Sequence, residues 1–92
     1  MIENFKHRGL RRFYENGDRS GLNAEHAPKI KVILSMLDAA ETPEEMAVAM
    51  FRFHALTGDR KGYYSVTVRA NWRVTFRFEH GNAYDVNLED YH

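Results

Sequence analysis

The second half of the chain alternates apolar and polar residues with a period of two. Four stretches show this alternation, at 51–56, 63–69, 72–78 and 83–88, and glycines separate several of them. A period of two is typical of strands that bury one face of a sheet, and short glycine-containing gaps are typical of tight turns. The pattern therefore predicts antiparallel strands that follow one another along the chain.

The first half has the period of amphipathic helices instead. A short helix is predicted over 9–17, ending at Gly17 in a left-handed cap, and a longer helix over about 27–40. A third helical turn is predicted to start at Thr42-Pro43, with Glu45 in the capping-box position. The segment 2–5 has the composition of a short strand. Helices followed by antiparallel strands predict an α+β fold with the N-terminal helices packed on one sheet face.

Length and composition restrict the remaining possibilities. Ninety-two residues with 43% hydrophobic content are enough for one domain, predicted to span 1–92. The chain has no cysteine, which excludes disulfides and thiolate zinc sites and favours a reducing, cytoplasmic environment. The longest uncharged apolar run, 32–37, is too short to span a bilayer, so no membrane partner is expected.

The charges are unevenly distributed although the net charge is zero. Between 52 and 77 there are six basic residues and a single acid, Asp59, whereas 38–45 and 79–90 each hold four acids and no Lys or Arg. A local basic stripe is more informative about nucleic-acid binding than the net charge. The distribution predicts a dipolar molecule with one basic face.

Alternation assigns the basic residues to the sheet face away from the helices. If Tyr64, Val66 and Val74 face the core, then Thr67, Arg69, Arg73, Thr75 and Arg77 face outward. A three-residue loop at 70–72 keeps both faces pure and sets Arg69 opposite Arg73, which predicts an odd-length or bulged turn. Three arrangements are open for these two arginines. They are solvated, they pair with Asp85 or Glu89, or they hold an anion between them.

Several chemically active side chains share this outward face. His54 has the outward parity of Arg52, and the terminal residues Tyr91 and His92 extend the last strand far enough to fold over the same surface. RNA cleavage without a metal needs one group to take a proton from the 2′-hydroxyl, another to protonate the 5′-oxygen, and fixed cations for the phosphorane. Histidine and arginine suit these tasks near neutral pH. The convergence predicts a ribonuclease site.

Other enzyme classes have less support. The histidines lack the His-x-x-x-His spacing of a zinc site, so no metal is expected. The segment Gly58-Asp-Arg-Lys-Gly62 lacks the Gly-Lys-Ser/Thr of a phosphate loop and is interpreted as a flexible basic turn, with Arg60 and Lys61 as candidate RNA contacts. No cofactor is expected. A non-catalytic RNA- or protein-binding module is the alternative function, and a purely structural domain would leave the arginine cluster unexplained.

Four segments together resemble the HigB-type toxins of bacterial toxin–antitoxin modules, within the RelE superfamily. The similarity covers essentially the whole chain, and the combination of Asn-Trp-Arg with Asp-Tyr-His is its most specific part. The segments are Phe5-Lys-His-Arg-Gly-Leu10, Leu56-Thr-Gly-Asp-Arg-Lys-Gly-Tyr-Tyr-Ser-Val66, Asn71-Trp-Arg-Val-Thr-Phe76, and Ala83-Tyr-Asp85 with Asp90-Tyr-His92.

The resemblance implies a RelE-like microbial-RNase fold and a ribosome-dependent endoribonuclease that cuts mRNA in the A site of the 70S ribosome. It also implies a HigA-type helix-turn-helix antitoxin as partner. Two positions depart from the family pattern: Thr57 stands where many relatives carry lysine, and Tyr64 where they often carry tryptophan. Arg60 or Lys61 is expected to compensate for the missing lysine.

The resemblance implies catalytic positions at His54, Arg73, Asp90, Tyr91 and His92. In the working hypothesis Arg73 holds the phosphorane charge, His54 and His92 transfer the protons, and Asp90 orients His92 or raises its pKa. Tyr91 stacks on or hydrogen-bonds the splayed nucleotide. His92 as acid and His54 as base, or the reverse, fit the sequence equally well. Further RNA contacts are predicted at Arg60, Lys61, Arg69 and Arg77.

Overall fold

A computed structural model describes residues 1–91 and shows two helices packed on one face of a four-stranded antiparallel sheet. The α+β arrangement predicted from the sequence is confirmed. The strands are joined in sequence order β1-β2-β3-β4. The helices are α1 (Arg8–Asn16) and α2 (Ala27–Ala39), and the strands are β1 (His54–Ala55), β2 (Tyr63–Arg69), β3 (Trp72–Glu79) and β4 (Asn82–Asp90).

Helix α1 begins and ends through local hydrogen bonds that its sequence supplies. The Nδ1 atom of His7 accepts a hydrogen bond of 3.1 Å from the Leu10 N–H and so caps the N-terminus. At the other end Gly17 adopts φ 70° and donates its N–H to the Phe13 carbonyl, a left-handed cap that glycine forms without steric cost. The predicted glycine cap is confirmed.

Helix α2 supplies one side of the core. Its buried side chains include Ile30, Ile33 and Leu37, each without measurable exposure, and they pack against the sheet side chains Val66, Val74, Phe76 and Val86. Beyond α2, Glu45 accepts the Thr42 N–H at 3.0 Å and the Glu41 N–H at 2.9 Å, which starts the short 3₁₀ turn Pro43–Met46. The predicted capped turn is confirmed.

The strand predicted at 51–56 is wrong over its first half. Phe51 closes a 3₁₀ turn, Ala49–Phe51, and is buried, while Arg52 has φ 48° and interrupts the extended chain. Only His54 and Ala55 pair with β2, opposite Ser65 and Tyr64. The segment alternates because Phe51 and Phe53 both reach the core. An irregular chain can place two such side chains in the core as well as a strand can.

The predicted register of β2 against β3 is also wrong, although the expected bulge exists. Arg73 lies opposite Thr67, not Arg69, and Arg69 lies opposite Trp72 across a two-residue turn. The register shifts between Thr67 and Arg69, and Ala70 in the turn has φ 50°. The extra residue in β2 keeps Val68 on the buried face, so the separation of apolar and polar faces survives with a shorter loop.

A second register shift lies between β3 and β4. Thr75 pairs with Asn87 and Arg77 with Tyr84, and Asp85 between them has φ 54°. Asn4 holds this irregular segment, because its side chain accepts the Asp85 N–H at 2.7 Å and donates to the Asp85 carboxylate at 3.0 Å. The predicted N-terminal strand is therefore reduced to two parallel bridges, Ile2 with Ala83 and Phe5 with Val86.

No helix within residues 1–91 combines the length and the apolar character that crossing a membrane requires.

We expect Gly9→Ala to destabilise the protein even though alanine favours helix. A Cβ at position 9 would lie 2.8 Å from the carbonyl oxygen of Gly21, a backbone atom that moves only if the loop after α1 shifts. Overpacking of this kind costs about 1–3 kcal/mol, against about 1 kcal/mol gained from helix propensity. The free energy of unfolding in urea measures the change.

The matched control is Arg8→Ala, an exposed position in the same helical turn, which should change stability by less than about 0.5 kcal/mol. A Gly9→Ala protein as stable as the native one would show that the contact between α1 and Gly21 is loose.

Candidate active site on the free face of the sheet

A depression of about 290 Å³ lies on the sheet face opposite the helices, beside the short strand β1. We call it the sheet pocket. A larger cavity of about 570 Å³ lies between the two helices, lined by residues such as Phe13, Tyr14 and Leu34, but it contains none of the predicted site residues. The sheet pocket is lined by His54, Ala55, Leu56, Thr57, Arg60, Ser65, Arg73 and Tyr91.

His54 reaches the sheet pocket because β1 pairs with the edge of β2. Its partner Ser65 is buried, while His54 itself is exposed. An imidazole in this position is open to a substrate on the free face. The outward orientation expected for His54 is thus what the structure shows, although the strand carrying it is much shorter than predicted.

Arg73 projects from the middle of the sheet, between β2 and β4. It lies opposite Thr67 on one side and Glu89 on the other. Its Nη1 atom donates a hydrogen bond to the Thr67 hydroxyl, and its guanidinium carbon lies 5.6 Å from the centroid of the Tyr91 ring. Within residues 1–91 it makes no ion pair, so its charge is available to an anion in the pocket.

Tyr91 is held over the pocket by the backbone. Its N–H donates to the Asn71 carbonyl at 2.7 Å, which fastens the end of β4 to the β2–β3 turn. The ring remains 42% exposed beside Arg73. An aromatic face next to a guanidinium is a suitable surface for an unstacked base.

Arg60 and Glu89 form a bidentate ion pair at the wall of the sheet pocket. The Nη1 and Nη2 atoms of Arg60 donate to the two carboxylate oxygens at 2.9 and 2.6 Å, and the Thr75 hydroxyl donates to the same carboxylate at 2.5 Å. The Arg60 guanidinium also lies 5.7 Å from the centroid of the Tyr63 ring. The hydrogen bonds from Arg60 lower the pKa of Glu89, against the opposing effect of burial.

The other predicted RNA contacts lie outside the sheet pocket. Arg69 pairs with Glu25, Lys61 is exposed in the turn after Arg60, and Arg77 pairs with Asp85 at 3.2 Å and with Glu79 at 2.7 Å. The pairing with Asp85 that the sequence analysis left open for Arg69 and Arg73 is made by Arg77 instead, while Arg69 pairs with Glu25.

The two remaining catalytic candidates are Asp90 and His92. Asp90 lies opposite Trp72 at the end of β4 and does not line the sheet pocket. His92 lies outside the described residues. Within residues 1–91 the structure thus brings together His54, Arg73 and Tyr91 from the predicted catalytic set, with Arg60 beside them.

Glu89 and Thr75 were not among the site residues predicted from the sequence. Their outward parity placed them on the correct face, but the sequence analysis considered Glu89 only as a possible partner of Arg69 or Arg73, not of Arg60. The sequence could not show that Arg60 and Glu89, which are twenty-nine positions apart in the chain, lie in contact in the folded protein. No group of three or more His, Asp or Glu side chains in the described part of the chain is arranged to hold a metal ion.

Two helices on one face of a four-stranded antiparallel sheet, with a polar pocket on the other face, are consistent with the RelE-like toxins. Comparison with known proteins supports this class directly. The family model for the RelE-like toxin of the type II toxin–antitoxin system HigB matches residues 3–92. The chain belongs to this HigB-like toxin family.

Two curated relatives agree with the family assignment. The chain is 47% identical to Endoribonuclease HigB of Proteus vulgaris over 92 residues, which is 100% of both chains. It is 32% identical to Toxin HigB-1 of Vibrio cholerae serotype O1 over 93 residues, covering 97% of this chain and 96% of the relative.

We expect Glu89→Gln to lower stability at neutral pH and to have little effect in acid. The folded-state pKa of Glu89 lies below its usual value of 4.5. Its stabilisation is therefore present above pH 4.5 and is lost as the pH falls through the folded-state value. Because the ion pair is partly exposed, we expect a loss of about 1 kcal/mol at pH 7. Urea unfolding of both proteins between pH 3 and 7 measures the difference.

Glu44→Gln, at an exposed position far from the sheet pocket, is the control. A loss of stability in Glu89→Gln that stays constant over the whole pH range would contradict the assigned role of the carboxylate charge.

Proposed function

We propose that this protein is an endoribonuclease toxin of a type II toxin–antitoxin system, which cleaves mRNA in the ribosomal A site and so inhibits translation. The observation that carries the proposal is that His54, Arg73 and Tyr91 line one pocket on the free face of the sheet. The name of the Proteus vulgaris relative, an endoribonuclease 47% identical over the whole chain, supports the same activity.

The proposed chemistry is metal-independent attack of a 2′-hydroxyl on the adjacent phosphodiester. One histidine of the pair His54 and His92 takes the proton of the attacking hydroxyl, and the other gives a proton to the 5′-oxygen that leaves. Arg73 neutralises the additional charge on the phosphorane, a task for which its guanidinium is suited because it has no carboxylate partner within residues 1–91. Asp90 acts through His92, which it orients. Tyr91 stacks on the nucleotide.

The way the arginines are paired supports the proposal that cleavage requires the ribosome. Arg60, Arg69 and Arg77 each form an ion pair with an acid of the same chain, so few charges are left to attract free RNA. We propose that the 70S ribosome supplies both local concentration and the splayed geometry of the mRNA. Lys61, Arg69 and Arg77 then contact RNA around the pocket, whereas Arg60, which pairs with Glu89, forms part of the pocket wall.

The proposed partners follow from membership of the family. A toxin of a type II module requires a cognate antitoxin, and we propose a HigA-type helix-turn-helix protein for this role. Action on translating ribosomes would place the toxin in the cytoplasm. The proposed reaction needs neither a metal nor a cofactor.

We expect the native chain to cut mRNA on programmed ribosomes at the A-site codon, as detected by primer extension. His54→Ala, Arg73→Ala and His92→Ala should each lower the single-turnover rate by about 100-fold or more, because each removes a proton-transfer group or the phosphate cation. Naked RNA at physiological salt should be cut far more slowly than ribosome-bound mRNA.

The matched control is Arg8→Ala, which removes an exposed charge from helix α1 on the other side of the sheet and should keep the native rate. Absence of cutting by the native chain would favour a binding module on the same fold. Full activity of His92→Ala would remove His92 from the mechanism while leaving the nuclease in place.

A further inference from the structure

Glu89 and Arg73 are direct neighbours across the β3–β4 pair, yet they do not form an ion pair. Their backbones are in register, and both side chains belong to the free face of the sheet. Directly opposite residues in an antiparallel pair have Cβ atoms about 4.5–5.5 Å apart. A rotation of the Glu89 side chain would therefore be enough to bring its carboxylate to the Arg73 guanidinium.

Hydrogen bonds from Arg60 and Thr75 hold the Glu89 carboxylate away from Arg73. Arg60 donates two of them from its guanidinium, and Thr75 donates one from its hydroxyl. The Glu89 side chain is only 23% exposed, so water alone solvates it poorly. Without Arg60, the partly buried carboxylate would lose its cation, and the Arg73 guanidinium, which makes no ion pair within residues 1–91, would be the neighbouring replacement.

We propose that Arg60 is a positioning residue that keeps Glu89 off Arg73, and thereby keeps the charge of Arg73 available to the scissile phosphate. The inference rests on the function proposed above, since it concerns the cation assigned to the phosphorane. It also differs from a direct role for Arg60 on the phosphate, because the Arg60 charge is already compensated by its bidentate ion pair with the Glu89 carboxylate.

The ion pair with Glu89 also bears on whether Arg60 can replace the lysine that many relatives carry at the position of Thr57. Arg60 lines the same pocket wall as Thr57, at the end of the 3₁₀ turn Gly58–Arg60. Its cation is neutralised there by Glu89, so it does not simply replace a lysine at position 57. Of the two arginines among the described pocket residues, Arg73 is then the one whose charge is not compensated by a carboxylate, so protecting that charge is correspondingly important.

A double-mutant cycle tests the inference with the ribosome cleavage assay. Arg60→Met should lower the single-turnover rate about 100-fold in the native background, the loss typical of removing one transition-state donor. In the Glu89→Gln background the same substitution should cost less than about fivefold, because no carboxylate is left to capture Arg73. An equal loss in both backgrounds would overturn the proposal and make Arg60 a direct RNA ligand.

Asp85→Asn is the matched control background. Asp85 is another carboxylate on the free face of β4, but it pairs with Arg77 and not with Arg60. Arg60→Met should still cost about 100-fold in this background. Recovery with Asp85→Asn as well would mean that any loss of negative charge near the RNA restores cleavage, and would overturn the specific role of Glu89.

A measurement that does not depend on activity separates this inference from the proposed function. In ¹⁵N-labelled protein without ribosomes, Arg60→Met should shift the guanidinium Nε–H resonance of Arg73 and slow its exchange with water, and adding Glu89→Gln should reverse both changes. An unchanged Arg73 resonance would overturn the proposal even if the native chain is an active nuclease. Arg60→Gln is used in the same way if Arg60→Met does not fold.

Discussion

The pairing of β2 with β3, including the extra residue between Thr67 and Arg69, is the constraint on which the rest of the structure depends. It keeps Val66, Val68 and Val74 on the side covered by the helices while a tight turn joins the strands. The same register sets Arg73 between β2 and β4. A slip of one residue would exchange buried and exposed faces, so core packing and the position of Arg73 depend on a single pattern of hydrogen bonds.

Charge pairing is the second organising feature. The chain has zero net charge, and three of the four arginines predicted to contact RNA or phosphate are paired with acids of the same chain. Arg73 is the exception within residues 1–91. Such an arrangement limits nonspecific attraction to polyanions but retains one cation in the sheet pocket. It fits the proposed action on ribosome-bound RNA better than the capture of RNA from solution.

Much of the fold could be predicted because helices and strands have different periods. Helix α2, the glycine cap of α1 and the strands β2, β3 and β4 were all expected from the spacing of apolar residues. The predictions failed where spacing was ambiguous. Phe51 has the parity of a strand residue but fills the core from a 3₁₀ turn, and Arg69 faces Trp72 because a bulge shortens the loop. Neither the 3₁₀ turn nor the bulge produces a periodic pattern in the sequence.

The sequence by itself determined the class of fold, the outward face of the sheet and the residue types available there, because alternation and local capping depend only on near neighbours in the chain. The tertiary structure decided which of those residues meet. It brought His54, Arg73 and Tyr91 from three strand regions to one pocket, left Asp90 outside it and joined Arg60 to Glu89. Contacts between distant segments depend on register, bulges and the competition of several acids for several arginines, and these are settled only when the whole sheet has formed.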